Sequence, residues 1–438
     1  MDLDDFDTFR IATCDLNGQM RGKRMPQKDQ GKLASGDLRM PLSVLNVDIW
    51  GADIANSPLL FASGDGDGYL LPTNRGPVPM PWLDQPSALV GMWMFEEDGR
   101  PFEGDPRHAL AQILDRYAAR GWQVVAATEL EFYLIDDSAE SLRPPKDPTS
   151  NRKIDSSAIL SLQQLDAFEA FFSELYQSCA QMGINAQAAS SEAGIGQFEI
   201  SLQHGDALRI ADDTWLFKTL LKGVARKHGY AASFMAKPYP NDAGNGLHLH
   251  FSVLDEAGEN IFDDGTKQGS PLLQNAVAGC LATMRAATLG FAPHANSYAR
   301  MDPENHAPTS ICWGYENRTA ALRIPAGAPS ARRIEHRVAG GDINPFLTLS
   351  LILGAALLGI EDDLTPPPPI TGNAYSQDLP QLIHSWSEAI DMFENDPMIA
   401  RILPAQLIEN FSLTKRQELD GLKNIPQEEH WKTYLETV

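Results

Sequence analysis

Glu129 and Glu131 stand two residues apart in TELEFYL, residues 128–134, inside an apolar and aromatic run. In a β-strand, side chains at i and i+2 point the same way, so both carboxylates share one face. An isolated pair of this kind usually marks a strand with one solvated face. Two further segments repeat the pattern. SEAGIGQFEI supplies Glu192 and Glu199, with Gln197 and Glu199 on one strand face, and GNGLHLHFSV supplies His248 and His250 by the same alternation. Carboxylates gathered on a half-buried face repel one another and lose hydration, so they need cations. Mostly oxygen ligands with an imidazole suit Mg²⁺ or Mn²⁺ rather than zinc. Counting Glu335, the five carboxylates exceed what one such ion requires, so two or more ions are expected. Hard cations of this kind bridge phosphate oxygens.

A phosphate site also needs positive groups. The stretch ENRTAALRIPAGAPSARRIEHR supplies Arg318, Arg323, Arg332, Arg333 and Arg337. Guanidinium forks grip phosphate or carboxylate with two hydrogen bonds. Ile, Leu and Pro are interleaved, and the rest of the chain is acidic, which favours a clamp over a solvated basic face. GQMRGK lacks one spacer residue of the Walker A loop, and GDGDG reads as a turn. A bound ATP would therefore occupy a site built from a sheet and arginines.

These residues need strands, and the texture of the chain supplies them. FRIATCDLNGQMRGKRMP reads as strand, turn and strand, and SGDGDGYLLPTNRGPVPMPW as loop. At EEDGRPFEGDPRHALAQILDRYAARG the pattern changes, with Asp105 as a helix N-cap, Pro106 in the first turn and Gly121 as a stop. Beyond it, strands (WQVVAATELEFYLI, GQFEISLQ, GLHLHFSVL) alternate with helices (QLDAFEAFFSELYQSCAQMG, DDTWLFKTLLKGVARKHG). After PPPP at 366–369 the pattern is mainly helical, with LPQLIHSWSEAIDMFEND and EEHWKTYLETV. The expectation is an α+β protein: a small β-rich domain over 1–102 and a large sheet-and-helix domain over 103–438.

Composition sets the outer limits. At 438 residues, 43% hydrophobic and 21% charged, the chain has the make-up of a globular protein with one large or two ordinary domains. A net charge of -23 argues against nucleic acid, which needs a basic stripe. Cys14, Cys179, Cys280 and Cys312 form no CxxC, so they read as buried free thiols. The acidic start MDLDDFDTFR lacks the pattern of a signal peptide. FLTLSLILGAALLGI, 346–360, falls short of the ~20 residues that span a bilayer and reads as a buried helix. A cytoplasmic protein without a membrane partner is expected.

DLNGQMRGK, TELEFYL, SEAGIGQFEI, GNGLHLHFS, NSYARMDPENHAP, NRTAALRIP and ARRIEHR, in this order, resemble the glutamine synthetase family over nearly the whole chain. LTPPPPITGNAY and the closing WKTYLE also fit. The resemblance implies a β-grasp-like N-terminal domain and a catalytic domain with an antiparallel sheet forming a two-metal funnel. It implies a homo-oligomer, typically a double-ring dodecamer, with sites shared between adjacent subunits. ATP would activate glutamate as γ-glutamyl phosphate, and an amine would displace phosphate. One ion would sit on Glu131, Glu192 and Glu199, the other on Glu129, His248 and Glu335. Arg300 and Arg337 would hold the glutamate carboxylates beside the Gly244 backbone and Glu131. Arg318 and Arg323 would face the transferring phosphoryl group, with His250, Ser252 and Arg333 lining the nucleotide.

The chain departs from glutamine synthetases where they handle ammonium. In PENHAP, His306 replaces a glutamate that closes the site; an imidazole, largely neutral at pH 7, suits accepting a proton from a larger amine. Asp48 persists in LNVDIWGAD, but Ile49 and Trp50 follow it where two serines are usual. Ser330 replaces a lysine and Ala243 an asparagine. Loss confined to the ammonium pocket points to a changed nucleophile, as in the γ-glutamylpolyamine synthetase branch. Trp50, Trp313 and His306 would line the amine, with Asp48 pairing its ammonium. A true glutamine synthetase and a catalytically silent relative are the rival readings. Tyr375, in GNAYSQDLP, lies near where some bacterial relatives carry an adenylylated tyrosine, but its flanks differ and it reads as a surface-loop residue.

Overall fold

The structure, a computed structural model, describes residues 3–62, 64–139, 141–303 and 306–438. Glu304 and Asn305 of the PENHAP stretch lie outside the described residues. Two sheets organise the chain. The first has the order β2-β1-β5-β4-β3, with β1 Thr8–Cys14, β2 Met20–Pro26, β3 Arg39–Pro41, β4 Asp67–Pro79 and β5 Ser87–Phe95. β1 and β5 run parallel and the other pairs antiparallel. Its inner face packs Phe9, Ile11, Leu70, Val90 and Met94, while Ala12, Cys14 and Leu89 join the core of the second sheet.

The second sheet has nine strands: β6 Gln123–Ile135, β7 Ala186–Ser191, β8 Gln197–Leu202, β9 Gly205–Asp206, β10 Ala231–Ser233, β11 Leu247–Leu254, β12 Trp313–Tyr315, β13 Leu322–Ile324 and β14 Ile334–His336. The path is β12-β13-β14-β11-β6-β8-β7, with β9 and β10 also pairing β6. All pairs are antiparallel except β12 with β13. The α+β expectation holds.

Helices cover the back of this sheet. Asp105 caps the helix Pro106–Ala118 by accepting the Arg107 N–H, as its sequence predicts. The apolar helix Pro345–Glu361 is buried along almost its whole length. It lies against Pro271–Met284 so closely that a Cβ on Gly279 would fall 2.1 Å from the Ala355 carbonyl oxygen. Only glycine permits that approach. Among the described residues no helix is long and apolar enough to cross a membrane, and all four cysteines are buried and free.

Three local expectations change. The stretch read as loop contains β4, thirteen residues long; two of its three prolines, Pro72 and Pro77, flank a register shift, and the third, Pro79, ends the strand. The helix expected over the QLDAFEAFF segment breaks at Phe168 into Leu162–Ala167 and Glu169–Met182. In LPQLIHSWSEAIDMFEND only Trp386–Asn395 is helical, because the preceding backbone pairs with the 309–311 segment.

Candidate active site

β6 shows why two glutamates can share a strand face. Val124, Ala126, Thr128, Leu130 and Phe132 point into the core, while Val125, Ala127, Glu129 and Glu131 alternate on the other, half-buried face. Cross-strand register brings the remaining groups to that face. Glu129 lies opposite His248 on β11 and Ser201 on β8, and Glu131 lies opposite Glu199. His250 lies opposite Glu335 on β14, which lies opposite Arg323 on β13. Four segments far apart in sequence thus deliver their acids and imidazoles to one surface.

Nδ1 of His248 is 3.1 Å from Glu129 Oε2 and 4.0 Å from Glu199 Oε2, and Nε2 of His250 is 3.2 Å from Glu129 Oε1. Two sets have all their ligand atoms within 4.8 Å of one another: Glu129, Glu199 and His248, and Glu129, His250 and Glu335. Glu129 belongs to both. The resemblance groups the acids differently, with His248 beside Glu335 and with Glu131 and Glu192 joining Glu199. Glu131 accepts the Gly246 N–H at 2.5 Å, and Glu192 accepts the Ser190 hydroxyl at 3.0 Å. Glu335 is gripped by Arg323 at 2.8 Å and by Arg337.

The charge balance is unequal. Burial and the charges of Glu131, Glu129 and Glu192 push the Glu199 carboxyl up to about 9. Burial and Glu131 push Glu192 up to about 7, with Arg318 pulling the other way. Burial acts on Glu129 too, but hydrogen bonds from His248 and His250 hold it well below the usual carboxylate range. Nε2 of His250 is buried against Glu129 Oε1. Crowded carboxylates with imidazoles among them fit hard divalent cations.

Beside this cluster lies a cavity of about 490 Å³. Its lining includes Ala127, Glu129, Ser201, His250, Ser252, Ser330 and Arg333. Arg333 Nε donates to His250 Nδ1 at 3.3 Å, and the Ser252 hydroxyl donates to the Arg332 carbonyl at 2.9 Å. Gln187, His204 and Asn260 also line it, and no local motif in the sequence marks them. Arg332 is spent on the carbonyls of Thr266 and Lys267, so it does not join the other arginines.

On the other side Arg300 is buried, and its Nη1 donates to the Val338 carbonyl at 2.8 Å. A Cβ on Gly244 would lie 2.7 Å from Arg300 Cγ and from the Ala236 oxygen, so the arginine stem packs directly on that backbone. Gln197 holds the segment in place, donating from Nε2 to the Gly244 carbonyl at 3.0 Å and to Asn245 Oδ1 at 3.0 Å. The Tyr133 hydroxyl donates to the Ala243 carbonyl at 2.7 Å. Arg318 is exposed, close enough for its charge to act on Glu192.

Other residues stand elsewhere. Asp48 Oδ1 accepts the Trp50 and Ala52 N–H groups at 3.0 and 2.9 Å, and Oδ2 accepts Gln417 at 2.8 Å. The Trp50 indole lies over Gly421 and donates to Thr433 at 3.3 Å, leaving the residue 42% exposed. Trp313 is a core residue, not a pocket wall: it is 2% exposed and its indole donates to the Pro367 carbonyl at 2.7 Å. His306 is exposed with a left-handed φ of 56°. Tyr375 is half-buried rather than a surface-loop residue, because the short 3₁₀ turn Ala374–Ser376 is pinned beneath Thr319.

Residues 103–434 match the family profile of the glutamine synthetase catalytic domain. The chain belongs to the glutamine synthetase family. It is 35% identical over 414 residues to γ-glutamylputrescine synthetase PuuA of Escherichia coli, covering 93% of this chain and 87% of that protein. It is 31% identical over 443 residues to glutamate–isopropylamine ligase of a Pseudomonas species, covering 99% and 95%. A solved structure described as a novel glutamine synthase homolog superposes with a TM-score of 0.86 at 26% identity, covering 99% of both chains. The family uses ATP and divalent metals, and the acidic face of β6 carries candidate metal-holding groups.

Proposed function

We propose that the chain is an ATP-dependent ligase joining the γ-carboxyl of glutamate to an organic amine. A γ-carboxylate oxygen attacks the terminal phosphorus of ATP and ADP leaves. The amine nitrogen then attacks the acyl carbon, phosphate leaves, and the nitrogen loses a proton. A carboxylate is a poor electrophile, and phosphorylation gives it a leaving group. One observation carries the reading: two ligand sets share Glu129 on a sheet face, with a cavity holding Arg333 and His250 on one side and Arg300 on the other.

The residue roles follow from this reading. Glu129, Glu131, Glu192, Glu199, His248 and Glu335 hold Mg²⁺ or Mn²⁺, two or more ions per site, with His250 alongside. Such ions, when bound, would supply positive charge that offsets the charge spreading over the phosphoryl group. His250, Ser252 and Arg333 line the nucleotide. Arg323 and Arg318 face the phosphoryl group, and Arg300 and Arg337 hold glutamate against the Gly244 backbone. His306 takes the proton from the amine.

An organic amine, rather than ammonia, is supported by the lost ammonium-pocket residues and by the names of the two relatives above. Asp48 and Trp50 face the C-terminal helices of their own chain, so a role in amine binding requires a ring in which they reach a neighbour's site. We propose that ring, with residues 1–102 as the contributing domain and 103–438 as the catalytic one. Phosphate release from Mg²⁺-ATP and glutamate, measured with a panel of ammonia, methylamine, isopropylamine, ethanolamine and putrescine, tests the reading. The expected result is turnover with at least one organic amine above that with ammonia. Turnover with ammonia alone points to a glutamine synthetase, and none with any amine to a silent relative.

A further inference from the structure

Tyr375 takes no part in the chemistry described so far. Its hydroxyl oxygen is covered from solvent and has no hydrogen-bond partner among the described residues. A buried donor without an acceptor is costly, so such groups in a native fold call for a physical reason. Arg337 presents a second one: its Nε–H is buried and unanswered, while its Nη1 is committed to Glu335. The charges of Arg337 and Arg300 both reach the Tyr375 phenol, pulling it down against the upward push of burial. Arg300 in turn feels Tyr375 as well as Glu131. The Arg337 backbone N–H also donates to the Ala321 carbonyl at 3.0 Å, and the adjacent Ala320 packs on Ala374, so the turn carrying Tyr375 lies against the segment paired to Arg337. Two orphaned donors on neighbouring segments call for an anion with several acceptor lone pairs.

The loop around Tyr375 is built to hold it. Asn373 Oδ1 accepts the Tyr375 N–H at 3.0 Å, and the Ala374 N–H donates to the Thr319 hydroxyl at 2.9 Å. Asn317 Nδ2 donates to the Gly372 carbonyl at 2.8 Å, and Ala374 packs with Cys312 and Ala320. The turn is thus clamped on both sides of Arg318, the arginine assigned to the phosphoryl group. A rigid loop that fixes a hydroxyl and then gives it no protein acceptor is preorganised for a ligand.

We infer that Tyr375 is a substrate-binding residue whose hydroxyl donates to the glutamate carboxylate held by Arg300 and Arg337. The inference rests on the ligase reading above and names the group that completes its glutamate site. The Tyr375→Phe variant removes one oxygen and keeps the ring. Steady-state phosphate release should show the KM for glutamate rising roughly tenfold, the scale of a lost hydrogen bond to a charged group, with the KM for ATP within about twofold. The thermal midpoint without glutamate should be unchanged or higher, since the hydroxyl has no protein partner to lose. An unchanged glutamate KM overturns the inference. So does a lowered midpoint with glutamate and ATP affected alike, the mark of a hydroxyl that only supports the loop. Failure of the ligase reading is separate: it appears in the unmutated chain, as no glutamate-dependent phosphate release with any amine.

Discussion

Two buried groups of charges in this chain solve the same problem in opposite ways. Where the helix Ala405–Leu422 meets the first sheet, Lys415 Nζ sits 2.9 Å from Glu418 Oε2, and Asn17 donates to Glu418 Oε1 at 2.8 Å. Lys415 and Glu418 are completely buried, and Lys415 also reaches Asn17. Burial raises the Glu418 carboxyl, and Lys415 and Asn17 draw it back. This acid carries its counter-charge in the chain. On the β6 face, Glu131, Glu192 and Glu199 have no lysine or arginine paired to them among the described residues, and Glu199 has only His248 at 4.0 Å. An acid whose partner is built in is part of the architecture. Acids gathered without partners leave a place for cations from solution.

The comparison breaks most sharply at Glu129, the residue common to both ligand sets. Glu129→Ala should lower metal-dependent ATP turnover by roughly a hundredfold to a thousandfold, because it removes a preorganised electrostatic group. Its metal-free thermal midpoint should fall only by what the two imidazole contacts contribute, less than for loss of the fully buried Lys415. Turnover close to wild type would remove Glu129 from the metal site.

Lys415→Met should do the reverse. Leaving Glu418 buried and unpaired costs about 3–5 kcal/mol, read from chemical denaturation. The KM values for ATP and glutamate of the folded protein should stay near wild type. A loss of catalysis without loss of stability would erase the distinction between the two groups.

A pH series sharpens it further. Glu192 at about 7 and Glu199 at about 9 both lie above the ordinary value of 4.5. Between 4.5 and about 9 the metal-free folded state therefore binds more protons than the unfolded chain, and its stability falls as pH rises. Differential scanning calorimetry should show the metal-free midpoint dropping from pH 5 to 9. The upward shift on adding Mg²⁺ should grow over the same range, since the ion competes with those protons. A shift independent of pH would separate the ions from Glu192 and Glu199.

The smallest expected effect is at His306. His306→Glu should raise the ratio of ammonia to organic-amine turnover by about threefold to tenfold, as an added exposed carboxylate near a cation is worth ~1 kcal/mol. An unchanged ratio would take His306 out of the amine site.

The acidic face was legible because strand periodicity is local: ExE, QFE and HLH each announce a shared face without knowledge of the fold. Asp105 as an N-cap and the apolar 346–360 helix were legible for the same reason. What sequence could not supply was register. That Glu129 lies between two histidines, with His250 beside Glu335, depends on how β6, β11 and β14 slide against one another. β4 was hidden by its prolines, which a strand inside a sheet accommodates at a bulge or at its end. Trp313 and Tyr375 were misplaced because exposure is set by the 366–382 segment folding back over β12, a contact between residues some sixty positions apart. Gln187, His204 and Asn260 reach the cavity from separate elements and carry no spacing that could mark them.

The most direct test is anomalous diffraction from crystals soaked with Mn²⁺ and ADP. The account predicts two manganese peaks on the β6 face, each bound by at least two of Glu129, Glu131, Glu192, Glu199 and Glu335. No peak there, with manganese bound elsewhere, would contradict it.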